Sequence, residues 1–347
     1  MRRSFFCIDS HACGNPVRVV AGGGPLLPSV SMAERREIFV RDHDWVRRAL
    51  MFEPRGHDIM SGVIIYPSVR DDCDFGALFI EVSGCLPMCG AGTIGLSTVV
   101  IEEGLIVPRQ PGKLAIETPA GRVDVDYTLE GESVESIRLF NVASYLHVAD
   151  VQVDVPGIGV ITVDIAYGGN FYAVVEPQPD WAGFVGLNAS DIVGVSRKLL
   201  AALANQCDPV HPENDLISGV HHVIWCDTPQ SSGADGRGAV FYGDKAIDRS
   251  PGGTGTSARM AQLFGKGRLK LGDTYRNESL IGTIFEGKVE AAVKVGGFDG
   301  IRPSITRSVV SMASGLVSLA GHTSLVTTLF SLTRRTRLPT AFKLFEP

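Results

Sequence analysis

Two short elements occur twice in this chain, in the same order. Residues 14–20 read G-N-P-V-R-V-V and residues 169–175 read G-N-F-Y-A-V-V; residues 89–95 read C-G-A-G-T-I-G and residues 252–258 read G-G-T-G-T-S-A. One glycine-rich match carries little weight, but two in sequence point to a duplicated unit and a two-lobed protein. The length of 347 residues leaves room for a buried core in each lobe.

Each repeated element has a readable local structure. Val17 to Val20 and Ala173 to Val175 follow Gly-Asn turns and are rich in β-branched residues, so strands are expected there. The glycine-rich septets lead instead into helical patterns. Ile94, Leu96, Val99, Val100 and Ile101 precede Gly104, and Ala258, Met260, Ala261, Leu263 and Phe264 precede Gly265. Stretches 113–128, 158–166 and 280–294 read as β structure. The expected fold is α/β (α+β): two similar lobes, each a curved sheet around a central helix, facing each other across a cleft.

Composition narrows the function. Hydrophobic residues make up 44% and charged residues 20%, a globular balance. The net charge of -6 is diffuse, so no nucleic-acid partner is expected. No apolar run is long enough to span a bilayer, and the start reaches Asp9 before a signal-peptide core could form; no membrane partner and a cytoplasmic location are expected. The seven cysteines show no C-x-x-C pairing and no companion His pair at helical spacing, so neither a disulfide framework nor a metal site is expected.

The first turn of a helix carries free N–H groups and the positive end of the dipole, a cradle for carboxylate or phosphate. Neither septet has the lysine of a P-loop or the spacing of a dinucleotide fingerprint. Cys89 stands immediately before such a turn, a position expected to lower its pKa and make it the most reactive thiol. With no cofactor motif to act as an electron sink, the chemistry that fits is proton transfer at carbon. Two opposed helix N-termini would hold a substrate carboxylate and stabilise the carbanion-like state, and a thiolate would take the proton.

Longer motifs carry a family resemblance. D-S-H-A-C-G-N-P-V-R-V-V (9–20), M-F-E-P-R-G-H-D (51–58), S-G-C-L-P-M-C-G-A-G-T-I-G (83–95), Y-G-G-N-F-Y-A (167–173), F-Y-G-D-K-A-I-D-R-S-P-G-G-T-G-T-S-A-R-M-A (241–261) and E-S-L-I-G-T (278–283) resemble the proline racemase superfamily, most closely its 4-hydroxyproline 2-epimerases. The likeness runs from residue 4 to about residue 306. It implies a fold like that of diaminopimelate epimerase, with lobe one formed by 1–120 plus about 300–347 and lobe two by 121–299. It implies cofactor-independent proton transfer at Cα of hydroxyproline or proline, and it leaves room for a homodimer. Cys89 matches the first catalytic thiol. Gly90, Gly253 and Thr254 match the carboxylate-holding positions, Asp248 the acid that meets the ring nitrogen, and His222 a further substrate contact.

Three departures from the family pattern stand out. The second catalytic thiol falls on Gly252, which carries no side chain. The usual His after the first C-G is Ala91, a position lining the substrate. A single remaining thiol also fits the related dehydratases of trans-3-hydroxy-L-proline, or a silent imino-acid binder. On base counting alone, inversion is expected to be weak, with Gly252→Cys recovering some of it and Ala91→His adding to the gain. The third departure is the tail: no Asp or Glu occurs between Asp299 and Glu346, and Ser and Thr crowd 304–340. Read one base back, Val326 to Lys343 can encode H-N-T-L-F-V-D-E-E-D-A-F-A-H-G-F-Q, which looks like the family's tail. A frameshift beginning between about 307 and 325 is therefore expected, with the sheet edges that the family tail covers left exposed.

Overall fold

The first Gly-Asn motif makes a hairpin. Strands β1 (Arg3–Ala12) and β2 (Asn15–Gly22) pair antiparallel. The turn residues Cys13 and Gly14 both have positive φ, 52° and 85°, as a tight hairpin turn that follows the strand twist requires. The structure is a computed structural model and describes residues 3–181, 183–243, 245–308, 313–319 and 329–331.

From that hairpin the chain runs through α1 (Met32–Met51), β3 (Ser61–Tyr66), β4 (Phe75–Glu81), β5 (Gly84–Leu86), α2 (Gly90–Glu102), β6 (Lys113–Thr118), β7 (Gly121–Glu130) and β8 (Ser133–Phe140). After β9 (Ser144–Val155) the series returns as β10 (Gly159–Tyr167), β11 (Phe171–Val175) and α3 (Ala189–Leu203). A small antiparallel pair, β12 (Val210–His211) and β13 (Asn214–Ser218), is inserted there. Then follow β14 (Val220–Asp227), β15 (Gly236–Tyr242), β16 (Ala246–Ile247), α4 (Gly253–Gly265), β17 (Thr274–Glu278), β18 (Ile284–Val295) and β19 (Phe298–Ser308).

The duplication holds strand by strand. Strand β2 is parallel to β3, β3 antiparallel to β4, and β4 parallel to β6, which continues antiparallel through β7 and β8. In the second unit β11 is parallel to β14, β14 antiparallel to β15, and β15 parallel to β17, continuing through β18 and β19. Each lobe wraps its sheet around one buried helix: α2 packs on β1, β2 and β8, and α4 on β9, β10 and β19. Both central helices are buried along almost their whole length.

The expected fold class and central helices stand, with two helices added. Helices α1 and α3 lie between the hairpin and the third strand of each unit. Each begins with a capping box, Ser31 with Glu34 and Asn188 with Asp191, a signal legible in the sequence. Helix α1 covers the outer face of its sheet, burying Met32, Phe39, Val46 and Leu50 against Phe5, Leu78 and Ile80. Its remaining surface is dense in Arg, Asp and Glu, which hides the apolar stripe.

Residues 121–140 form β7 and β8, and β8 packs on α2. We propose from this packing that the first lobe extends to about Asn141. Strand β20 (Ala313–Leu319) lies along β1 from Arg3 opposite Leu319 to Asp9 opposite Ala313, and β21 (Leu329–Ser331) pairs with β20. The edge of β1 is thus covered, not bare. Apart from these two strands, the frame-shifted reading of the tail lies outside the described residues.

Asn141 sits at the crossing between the units. Its Nδ2 donates to the Gly168 carbonyl at 2.8 Å and to Ser257 Oγ at 2.9 Å, and Ser257 Oγ donates to the Gly253 carbonyl at 2.9 Å. The linker is thereby tied to the first turn of α4. Asn141→Leu leaves the Gly168 carbonyl buried without its donor and should lower stability by about 1–3 kcal/mol, read as an earlier midpoint in urea unfolding.

Candidate active site

The N-termini of α2 and α4 meet tip to tip. A Cβ added to Gly90 would stand 2.5 Å from Gly253 Cα, and one added to Gly253 would stand 2.7 Å from Gly90 Cα; no side chain fits at either position. The two loops and the strand ends beside them line a small cavity.

Every site residue expected from the sequence lines this cavity: Cys89, Gly90, Ala91, His222, Asp248, Gly252, Gly253 and Thr254. Cys89 is the N-cap of α2, with extended backbone (φ -136°, ψ 116°), and its Sγ accepts the Gly92 N–H at 3.2 Å. Its carbonyl accepts the Thr93 N–H at 2.9 Å. Helix geometry leaves the Gly90 and Ala91 N–H groups without intrahelical partners, turned towards the tip. Thr254, in the first turn of α4, is held by Tyr172, whose hydroxyl is 2.6 Å from Thr254 Oγ1.

Sequence reasoning missed a buried polar chain behind Cys89. Glu81, at the end of β4, takes hydrogen bonds from Ser61 Oγ at 3.1 Å and Ser83 Oγ at 3.3 Å, and Asn15 Nδ2 donates to Ser61 Oγ at 3.2 Å. Cys89 hydrogen-bonds to Glu81 as well. The visible signal was an acid closing an otherwise apolar strand, F-G-A-L-F-I-E. Tyr172 and Tyr242 also line the cavity; both lie inside motifs already singled out, in strands whose inward faces the sequence did not assign.

The electrostatics correct one expectation. The thiol of Cys89 is raised well above the ordinary thiol range, not lowered: burial is the main cause, followed by the charge of Glu81 and the hydrogen bond to it, and the Gly92 N–H only partly opposes them. A helix N-terminus acts against a full desolvation penalty here and loses. Burial likewise raises Glu81, against the bonds from Cys89, Ser61 and Ser83. Burial pushes Asp248 up to about 7, although Ser250 donates its N–H to Oδ1 at 2.7 Å. Burial lowers His222 to about 3, which keeps the ring neutral, and its Nδ1 has no partner among the described residues.

Gly252 is the N-cap of α4 and the counterpart of Cys89, but its backbone differs: φ 74°, ψ 111°. That region suits glycine alone. A Cβ there would also stand 3.1 Å from Val240 Cγ2. The expectation that Gly252→Cys restores a second thiol by simple addition therefore meets a backbone that must first turn over.

Two outcomes follow. Gly252→Ala should cost about 1–2 kcal/mol from the left-handed backbone alone, measurable by urea unfolding. Cys207 is half-exposed while the other six cysteines are buried. Iodoacetamide at neutral pH should thus label Cys207 before Cys89, mapped by mass spectrometry, in place of the Cys89 preference expected from the sequence.

The sequence profile of the family described as "Proline racemase" matches residues 7–320. The chain is 77% identical over 305 residues to 4-hydroxyproline 2-epimerase 2 of Rhizobium rhizogenes, covering 88% of this chain and 92% of that protein. It is 57% identical over 301 residues to 4-hydroxyproline 2-epimerase of Paracoccus denitrificans, covering 87% and 90%. Among solved structures, a hydroxyproline epimerase from Agrobacterium vitis with bound trans-4-hydroxy-L-proline superposes with a TM-score of 0.84 at 29% identity, covering 92% of this chain and 94% of that one.

Proposed function

The chain belongs to the proline racemase family, and we propose that it is a 4-hydroxyproline 2-epimerase-type isomerase that moves the α-proton of an imino acid without a cofactor. The observation that carries this reading is Cys89 at the tip of α2, directly across from the tip of α4, inside one buried cavity. The relatives named as 4-hydroxyproline 2-epimerases, and the A. vitis structure holding trans-4-hydroxy-L-proline, make that compound the first substrate to test.

The chemistry divides among named groups. The free N–H groups at the two helix tips meet the substrate carboxylate, and they hold it harder as negative charge moves onto it from Cα. Neutral His222, with its unpartnered Nδ1, offers a hydrogen bond to a polar group on the ring. Cys89 starts as a thiol, and Glu81, itself raised by burial, receives its proton. The resulting thiolate takes the proton from Cα: the C–H bond breaks, an S–H bond forms, and the electron pair stays on the substrate. The seven free cysteines suit a reducing compartment, which supports a cytoplasmic location. Among the described residues, no helix is long and apolar enough to cross a membrane.

A second reading rests on Gly252. With no side chain at that N-cap, Cys89 acting alone suits elimination of water from trans-3-hydroxy-L-proline, which needs no proton on the opposite face.

Incubating the protein in deuterated water with trans-4-hydroxy-L-proline, proline and trans-3-hydroxy-L-proline separates these readings, with exchange, inversion and water loss followed together by NMR. Exchange at Cα of 4-hydroxyproline is expected, and Cys89→Ala should reduce it by about 10²–10⁴-fold, the usual value of a positioned base. Water loss from the 3-hydroxy isomer would favour the dehydratase. Binding without any of the three reactions would leave an imino-acid binder.

A further inference from the structure

The internal duplication makes Gly252 the structural equal of Cys89, so the proton source for the second face of the substrate ought to stand at that helix tip. Gly252 cannot provide it, but the space where its side chain would begin is not empty of acids. A Cβ built on Gly252 lies 3.6 Å from Asp248 Oδ2. The Asp248 carboxyl is buried, lines the same cavity as Cys89, and is fixed from one side only: Oδ1 accepts the Ser250 N–H at 2.7 Å, and the Asp248 N–H donates to the Val240 carbonyl at 2.8 Å. Gly252 N–H in turn donates to Ser250 Oγ at 3.1 Å. The D-R-S-P-G turn thus folds back so that Oδ2 stands in van der Waals contact with the place where a side chain at 252 would begin.

We infer that Asp248 is the second acid–base group of this site, handing a proton to the face of Cα opposite Cys89 in place of the missing thiol. The inference rests on the proton-transfer reading above and extends it, because the family resemblance gives this position only contact with the ring nitrogen. The step balances without any further reactant. The Cys89 thiolate takes the Cα proton, forming S–H. The Asp248 carboxylic acid gives its proton to the other face, its O–H bond breaking as the new C–H bond forms and leaving a carboxylate. For the opposite epimer the two groups exchange roles, so each product leaves the site set for the reverse reaction.

Burial pushes Asp248 up to about 7, reinforced by the charge of Glu81. Cys89, Tyr172, Tyr242 and Cys13 also feel its charge, and neutral His222 shares the cavity. The acid is therefore available near neutral pH, where an ordinary aspartate would already have lost its proton. Inversion in either direction begins with two protons shared by Cys89, Glu81 and Asp248. When all three hold a proton no base is present, so inversion should rise with pH in both directions as the first of the two buried carboxyls ionises.

The test is the ratio of inversion to exchange for 4-hydroxyproline in deuterated water, measured on the unaltered protein and on Asp248→Asn. The unaltered protein is expected to invert as well as exchange. In Asp248→Asn the ratio should fall by about 10²-fold or more, because exchange at the Cys89 face needs no second acid. Weakened binding or a partly unfolded variant lowers both rates and leaves the ratio unchanged. An unchanged ratio in Asp248→Asn overturns the inference, and so does exchange without inversion by the unaltered protein; both outcomes leave the Cys89 reading standing. Neither exchange nor inversion by the unaltered protein overturns the two readings together.

Discussion

The contact between Gly90 and Gly253 is the constraint on which the rest of the molecule depends. Two helices can present their N-termini to one small ligand only if their first residues nearly touch, and here neither residue has room for a side chain. That approach fixes the distance between the two lobes and places both dipole ends on one cavity. It also demands that the loops feeding the helices be anchored from behind. Asn141 and Ser257 supply that anchor for α4. For α2 it comes from Asn170, whose Nδ2 donates to the Met88 carbonyl at 2.7 Å, from the opposite lobe. Each lobe helps to hold a helix tip that the cavity needs.

The scaffold is duplicated, but the chemistry is not. Asn15 corresponds to Asn170 in the two Gly-Asn motifs; the first lines the cavity, whereas the second braces the Cys89 loop. Glu81 ends β4 and Tyr242 ends its counterpart β15, so the repeat position that holds an acid in one lobe holds an uncharged phenol in the other. The two N-caps differ in side chain and in backbone sign. A symmetric frame thus carries one strongly desolvated thiol–carboxylate pair on one side and a single buried carboxyl on the other. On the proposed reading, the two faces of Cα meet different acids.

Much of this was legible in the sequence because the determining residues are local. The hairpin turn at Cys13 and Gly14, the glycine loops and the helices closed near Gly104 and Gly265 are short-range features, and the duplicated motifs reveal how they recur. The outer helices α1 and α3 escaped because their apolar stripes are interrupted by charge, although Ser31–Glu34 and Asn188–Asp191 marked their starts. Glu81 was missed for a different reason: its role exists only through contact with Cys89, and the hairpin between β4 and β5 creates that contact. The direction of the Cys89 shift was misjudged because the sequence shows the helix dipole but not the burial that outweighs it. The backbone at Gly252 was illegible in principle, since glycine permits many conformations and the sequence does not say which one is used.

The burial of Cys89 has a further consequence, for the lifetime of the protein. Oxidants attack thiolates, and a solvent-accessible sulfur of low pKa is the usual victim. At rest this sulfur is protonated and buried beside Glu81. On the proposed reading it becomes a thiolate only when Glu81 takes its proton. Vulnerability to peroxide is thereby confined to the working cycle, so an idle molecule keeps its sulfur reduced without a disulfide partner to guard it.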